Sequence, residues 1–232
     1  MAEPLPKGGG SGIERSMNSY SFTLADQTLL ALASGALYWP AQETLCVSDL
    51  HLGKSERLAR RGGTLLPPYD TRETLTRLDG VLAATGARHV VCLGDSFDDG
   101  TAGGGLEEDD RLRLSALMAG RSWTWIAGNH DPAPLALGGT HRAEVRTATL
   151  TFRHIAVPGE TGEVSGHFHP KATVAGRSRP CFLIDAARVI LPAFGCYTGG
   201  LRSADPALAA LMGPQALAVL TGQRALAIPM PR

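Results

Sequence analysis

The sequence predicts a single α/β domain built on two packed β-sheets, and three observations lead there. Apolar, β-branched runs alternate with helical patterns in the first half, the second half is mostly strand-like, and neither repeat nor linker divides the 232 residues. Residues 20–24 alternate apolar and polar side chains, as a half-buried strand does. Residues 44–47 form a short apolar run that stops at Ser48-Asp49. Asp70-Thr71-Arg72-Glu73 follows Pro67-Pro68 and reads as a capping box, and Leu75, Leu78 and Leu82 carry helical spacing beyond it. Residues 89–93 read as a buried strand ending at Gly94-Asp95. Leu114, Leu117 and Met118 mark a second helix stopped by Gly120.

A third strand at 123–127 ends at Gly128-Asn129, so the first half has the order β-α-β-α-β expected of parallel strands. Residues 143–157 read as a hairpin, and 181–184 with 189–191 as another. A short helix at 205–212 and a strand pair across 217–228 complete a second, largely antiparallel sheet. Trp123 and Trp125 alternate with Ser122 and Thr124, which makes them sheet-face or core residues. Residues 1–16 contain Gly8-Gly9-Gly10-Ser11-Gly12 and no core-forming pattern; they are a disordered extension or an expression remnant, and the domain runs over 17–232.

Composition narrows the function. With 44% hydrophobic and 19% charged residues the chain can bury a core, and no apolar run approaches the roughly 20 residues that cross a bilayer. A cytoplasmic protein with no membrane association is expected. Zero formal net charge argues against a large nucleic-acid footprint. Cys46, Cys92, Cys181 and Cys196 form no C-x-x-C pair, and Cys46 and Cys92 read as buried, reduced hydrophobes without a chemical role.

The chemistry lies in the histidines. Of seven, His51, His130, His154, His167 and His169 sit beside acids, glycines or one another. Imidazole with carboxylate suits Mn²⁺, Fe²⁺ or Zn²⁺ better than Ca²⁺. Three predicted strands end in metal-capable motifs: Asp49-Leu50-His51, Gly94-Asp95-Ser96-Phe97-Asp98 and Gly128-Asn129-His130-Asp131. Carboxyl ends of strands in an α/β sheet face the ligand crevice, so these loops should converge. Gly166-His167-Phe168-His169 adds two imidazoles on one side of an extended segment.

This ordered set, with the lone His154, resembles the calcineurin-like metallophosphoesterase superfamily over about residues 45–169. The resemblance implies two facing β-sheets flanked by helices, with a dinuclear metal site at their shared edge. It implies that Asp49, His51 and His169 hold one metal, that Asn129, His154 and His167 hold the other, and that Asp95 bridges them. A metal-bridging hydroxide would then attack phosphorus in line. His130 would be the acid at the leaving group, with Asp98 as the carboxylate that orients it; Asp99 and Asp131 are substitutes among which the sequence does not choose. A closer resemblance, carried also by Trp125-Ile126-Ala127, Lys54-Ser55, Pro170 and the run Pro192-Ala193-Phe194-Gly195-Cys196-Tyr197-Thr198-Gly199-Gly200, is to a bacterial branch, the ligase-associated DNA damage response phosphoesterases. That branch implies two divalent ions, Mn²⁺ first with Fe²⁺, Zn²⁺ or Ni²⁺ as alternatives. It further implies DNA or another phosphodiester as substrate, a functional link to a DNA ligase and a helicase, and a homodimer.

Around the centre, Lys54, Arg57, Arg60 and Arg61 are candidates to grip phosphates, against an ordinary solvated basic stretch. Tyr197 is a candidate to stack on a base or sugar, against packing a turn. His89 and His141 read as structural or surface residues. The stretch 100–105 with the acidic cluster 107–110 is expected to form a mobile loop near the site. The competing readings are a hydrolase of a small nucleotide, a sugar-nucleotide pyrophosphate or a phosphomonoester, and a non-catalytic scaffold. The presence of every ligand residue speaks against the scaffold.

Overall fold

Short strands that are apolar on both faces must be covered twice, and this fixes the architecture. The computed structural model describes residues 18–55, 69–98, 106–131 and 137–231. The first sheet runs β1 (Ser19–Leu24), β2 (Gln27–Leu32), β3 (Leu37–Trp39), β4 (Thr44–Val47), β5 (His89–Cys92), β6 (Ser122–Ile126) and β7 (Thr140–Arg142), in that spatial order. β1 to β4 pair antiparallel, and β4 to β7 pair parallel. Two helices supply the parallel crossovers, α1 (Asp70–Thr85) between β4 and β5 and α2 (Glu108–Met118) between β5 and β6.

The second sheet contains β8 (Glu144–Arg146), β9 (Thr151–Arg153), β10 (Glu163–Ser165), β12 (Arg177–Ile184), β13 (Arg188–Ile190), β14 (Leu217–Leu220) and β15 (Leu226–Pro229). Its spatial order is β15-β14-β12-β13-β10-β9-β8, with β11 (Lys171–Val174) hairpinned onto β12. A short helix, α3 (Pro206–Leu211), is N-capped by Asp205, whose Oδ1 accepts from Ala207 N at 2.9 Å.

Alternation along the strands sorts side chains into three cores. In β4, Leu45 and Val47 point toward α1 and α2, joining Leu75, Leu78, Leu114, Trp123 and Trp125, while Cys46 points between the sheets. The inter-sheet core joins Leu29, Val91 and Ile126 to Phe152, Phe182 and Val189. The outer face of the second sheet packs Leu183 and Leu220 on Leu208 and Met212 of α3 and its end. Burial pushes up the thiols of Cys46 and Cys92, and that of Cys181 to about 12, so these cysteines serve as small hydrophobes.

Several sequence expectations are corrected here. Asp70 is not an N-cap: Tyr69 holds that position, and Asp70 accepts from Ser55 N at 3.1 Å and Ser55 Oγ at 2.6 Å. Its carboxylate ties α1 to the turn behind the first aspartate loop. Glu108, Asp109 and Asp110 form the first turn of α2, where acids favour the helix dipole, and are not loop. Residues 99–105, like 1–16, lie outside the described residues. The second sheet is largely antiparallel, and the departure is at β10, which pairs parallel with both β9 and β13.

A buried ion cluster braces those parallel strands. Glu163 on β10 lies 3.4 Å from Arg153 of β9 and 3.1 Å from Arg188 of β13. No helix of the described residues is long and apolar enough to cross a membrane. Phe182 is fully buried between the sheets. Phe182→Ala is therefore expected to cost about 3–5 kcal/mol, read as a lowered midpoint in chemical denaturation.

Candidate metal centre

Parallel pairing brings the loops together. The registers Val47↔Cys92 and Cys92↔Trp125 end β4, β5 and β6 side by side, so the three aspartate and asparagine loops emerge at one edge. β9 and β10 are also parallel, and they deliver His154 and the 166–169 segment to the same edge from the second sheet. Two bonds join the sheets there. The His154 ring lies with Nδ1 2.7 Å from Leu93 O, and His167 N donates to Asp49 Oδ2 at 2.9 Å.

The loops turn back sharply to aim their side chains inward. Asp49, His51, Asp95, His167 and His169 all have φ between 46° and 69°, in the left-handed region. Asp and His tolerate this region better than most residues, and each such backbone still costs on the order of 1 kcal/mol. Glycine makes the close approaches. A Cβ on Gly166 would lie 1.6 Å from Ser48 Oγ, and one on Gly128 would lie 2.1 Å from Asp95 N.

Two adjoining ligand groups result, Asp49 with His51 and His169, and Asp95 with His154 and His167. In the first, His169 Nε2 is 3.1 Å from Asp49 Oδ1, and Ser48 Oγ donates to Asp49 Oδ2. In the second, His154 Nε2 lies 2.9 Å from Asn129 Oδ1, 3.2 Å from His167 Nδ1 and 3.4 Å from Asp95 Oδ2. Asp49 Oδ1 is 4.0 Å from His154 Nδ1, which sets the groups next to each other.

The residues fit divalent cations. His51 Nε2 is buried without a hydrogen-bond partner among the described residues, and buried Asp49 Oδ1 faces the ring nitrogens of His169 at 3.1 Å and His154 at 4.0 Å, an arrangement that a cation would satisfy. With Nδ1–H of His154 donated to Leu93 O, its Nε2 faces Asn129 Oδ1, Asp95 Oδ2 and His167 Nδ1, a cluster of lone-pair atoms suited to a cation. Burial opposes charge on His154, but the Asp95 hydrogen bond and the Asp49 and Asp95 charges outweigh it and raise its pKa. The carboxylates respond in kind: against burial, His169 pulls Asp49 below the ordinary range, and His154 pulls Asp95 to about 2. Burial and the neighbouring His154 lower His167, which leaves it a neutral ligand.

Asp98 does not place its carboxylate on the His130 ring as the resemblance implies. Its Oδ1 lies 3.1 Å from His51 Nδ1, so it orients a candidate metal ligand. His130 instead sets Nδ1 3.1 Å from the Asp98 carbonyl oxygen, while its backbone N donates to Asp95 Oδ1 at 2.9 Å. The physical reason is depth. Asp98 and His51 are both buried, whereas His130 is exposed at the mouth, its ring centroid 5.3 Å from that of His51.

Asp131 is also spoken for, and sequence reasoning misses its task. It accepts from Ser96 N at 2.8 Å, Phe97 N at 3.1 Å and Gly128 N at 3.2 Å, which clasps the second and third loops together. An acid closing a glycine loop is the only sequence signal for it. Asp99 lies outside the described residues. So do Arg57, Arg60 and Arg61.

Lys54 and Tyr197 do meet: Lys54 Nζ donates to Tyr197 O at 3.0 Å, and the tyrosine ring is 49% exposed. Their segment is a strap behind the first group, since Phe194 N donates to Ser48 O at 2.7 Å and Gly195 N to Asp49 O at 3.0 Å. His89 is exposed at the start of β5, and His141 stacks on Trp125 at 6.5 Å, outside both groups.

The calcineurin-like phosphoesterase family matches residues 43–191, which include every ligand above. The chain belongs to that family. It is a phosphoester hydrolase of a family that uses divalent metals. A solved structure, a nuclease MPE from Pseudomonas putida, is similar to this phosphoesterase with a TM-score of 0.67 and 30% identity. The similarity covers 87% of this chain and 96% of that one. No curated protein matches the sequence.

Because Asp98 holds His51, Asp98→Ala is expected to lower Mn²⁺ affinity about 10–100-fold, read by calorimetric titration of the metal-free phosphoesterase. Unchanged affinity with a lowered turnover would instead place Asp98 in the service of His130.

Proposed function

We propose that this phosphoesterase is a Mn²⁺-favouring phosphodiesterase that cleaves DNA, with a role in DNA repair. One observation carries the reading: two adjoining nitrogen–oxygen ligand groups within a chain that is 30% identical, over 87% of its length, to a nuclease. Asp49, His51 and His169 would hold one ion and Asn129, His154 and His167 the other, with the Asp95 carboxylate between them. Bound there, two divalent ions supply charge neutralisation of the phosphate and activation of water. The absence of any thiolate among the ligands, with imidazole and carboxylate together, favours Mn²⁺ over softer-site metals.

The protein supplies the rest. Asp98 fixes the His51 ring, and the Leu93 carbonyl fixes the tautomer of His154. The left-handed loops keep the ligands in place before any substrate arrives. His130 stands exposed at the mouth with Nδ1 engaged on the Asp98 carbonyl, so its Nε2 is the atom turned outward to hand a proton to the departing oxygen. Tyr197 on the strap, and Lys54 after the first aspartate loop and bonded to it, are the groups that would meet a nucleotide beside the scissile bond.

The test uses protein stripped of metal and resupplied with Mn²⁺, with a chromogenic phosphodiester beside the matching monoester. Diester hydrolysis should return with Mn²⁺, and His130→Ala should reduce kcat about 10²–10⁴-fold while Asp95→Ala abolishes it. Preference for the monoester, or for a nucleotide pyrophosphate, would move the substrate to small metabolites and sink the DNA reading.

A further inference from the structure

The strap borders a cavity of about 340 Å³ whose lining contains none of the candidate metal ligands. Its walls include Glu73 and Arg77 of α1, Lys171 of β11, and Cys196, Tyr197 and Thr198 of the strap. The strap is pinned to α1 where Cys196 N donates to Thr74 Oγ1 at 3.2 Å. It is held on its far side by Lys171 Nζ, which donates to Thr198 O at 3.1 Å.

Arg77 is the feature without an explanation. Its guanidinium lies 4.3 Å above the ring of fully buried Phe194, and its Nε is buried without a hydrogen-bond partner. Among the described residues it makes no ion pair. Stacking on Phe194 fixes the plane of the fork at little entropic cost, yet leaves its donors unused. A half-buried cation with idle donors beside a second cation awaits an anion with paired oxygens.

We propose that this cavity binds an internal phosphodiester of the substrate chain, one that flanks the scissile bond and reaches the cavity across the 196–198 strap. The inference rests on the phosphodiesterase reading above and extends it to a polymeric substrate. Two oxygens of the phosphate face the Arg77 fork, with Lys171 adding charge. Glu73 repels a terminal phosphate dianion more than a diester monoanion, which favours the chain interior over a free mononucleotide. The volume is at the lower end of the roughly 300–1,000 Å³ of ligand pockets, enough for one sugar-phosphate unit and too small for a duplex. The exposed Tyr197 ring at the cavity rim offers a face for the adjoining base. A single grip of this kind needs no basic surface, in keeping with zero net charge.

Arg77→Gln in the full chain tests this with two readouts. In the Mn²⁺-loaded enzyme, KM for a single-stranded oligodeoxynucleotide should rise about tenfold with kcat held. The ratio of oligonucleotide to bis(4-nitrophenyl) phosphate kcat/KM should fall with it. With EDTA present, anisotropy of a labelled oligonucleotide should show weaker binding and a salt slope smaller by about one, while thymidine 5′-monophosphate should compete poorly. An unchanged KM and salt slope would overturn the proposal, as would an equal loss on both substrates or strong competition by the mononucleotide. If the wild-type enzyme cleaves neither diester, the phosphodiesterase reading fails by itself, and the binding measurement still decides the cavity.

Discussion

At the shared edge of the two sheets, the His154 imidazole meets the Leu93 carbonyl at 2.7 Å, and the His167 backbone meets the Asp49 carboxylate at 2.9 Å. These contacts lock strand ends from different sheets into one site. Each ligand group takes residues from both sheets, so these contacts, added to the inter-sheet core, fix the relative positions of its members. The lock also sets chemistry, because donating Nδ1–H to a carbonyl leaves Nε2 as the coordinating atom. Everything else at the centre, from the left-handed loops to the Asp131 clasp, works to keep this edge closed around a concentrated set of negative and lone-pair atoms.

That concentration explains the cost of the site. Five ligand-bearing residues adopt left-handed backbone, and the buried Nε2 of His51 has no hydrogen-bond partner among the described residues. A fold tolerates this only if its neighbours over-determine it. Here parallel strands below, three hydrogen bonds into Asp131 and the Glu163 ion cluster behind β9 and β10 do so. Cations held by these groups would offset that cost, so added divalent metal should raise stability.

Much of this was legible in the sequence, for definite reasons. Asp49, Asp95 and Asn129 end apolar runs abruptly, and strand ends of a parallel sheet converge, so their meeting follows from topology. What escaped depends on distance in space. Asp98 lies 32 residues from His130 and 47 from His51, yet burial, not nearness in sequence, gives its carboxylate to His51. Asp70 sits in a capping pattern but is drawn off by Ser55. β9 and β10 run parallel although only residues 154–162 join them, without a helix, and so short a connection carries no sequence signal for parallel pairing. Arg77 is one of several helix arginines until Phe194 is seen beneath it.

The central claim is that one chain holds two metal ions at this edge, and the stoichiometry of tightly bound Mn²⁺ tests it most directly. Metal-free protein reloaded with Mn²⁺ and freed of excess should retain two ions per chain, one for each ligand group. Their proximity should show as magnetic coupling in the electron paramagnetic resonance spectrum, lost together with one ion in His154→Ala. A single uncoupled ion in the wild type, with His154→Ala unchanged, would contradict the dinuclear centre and with it the assignment of the second group.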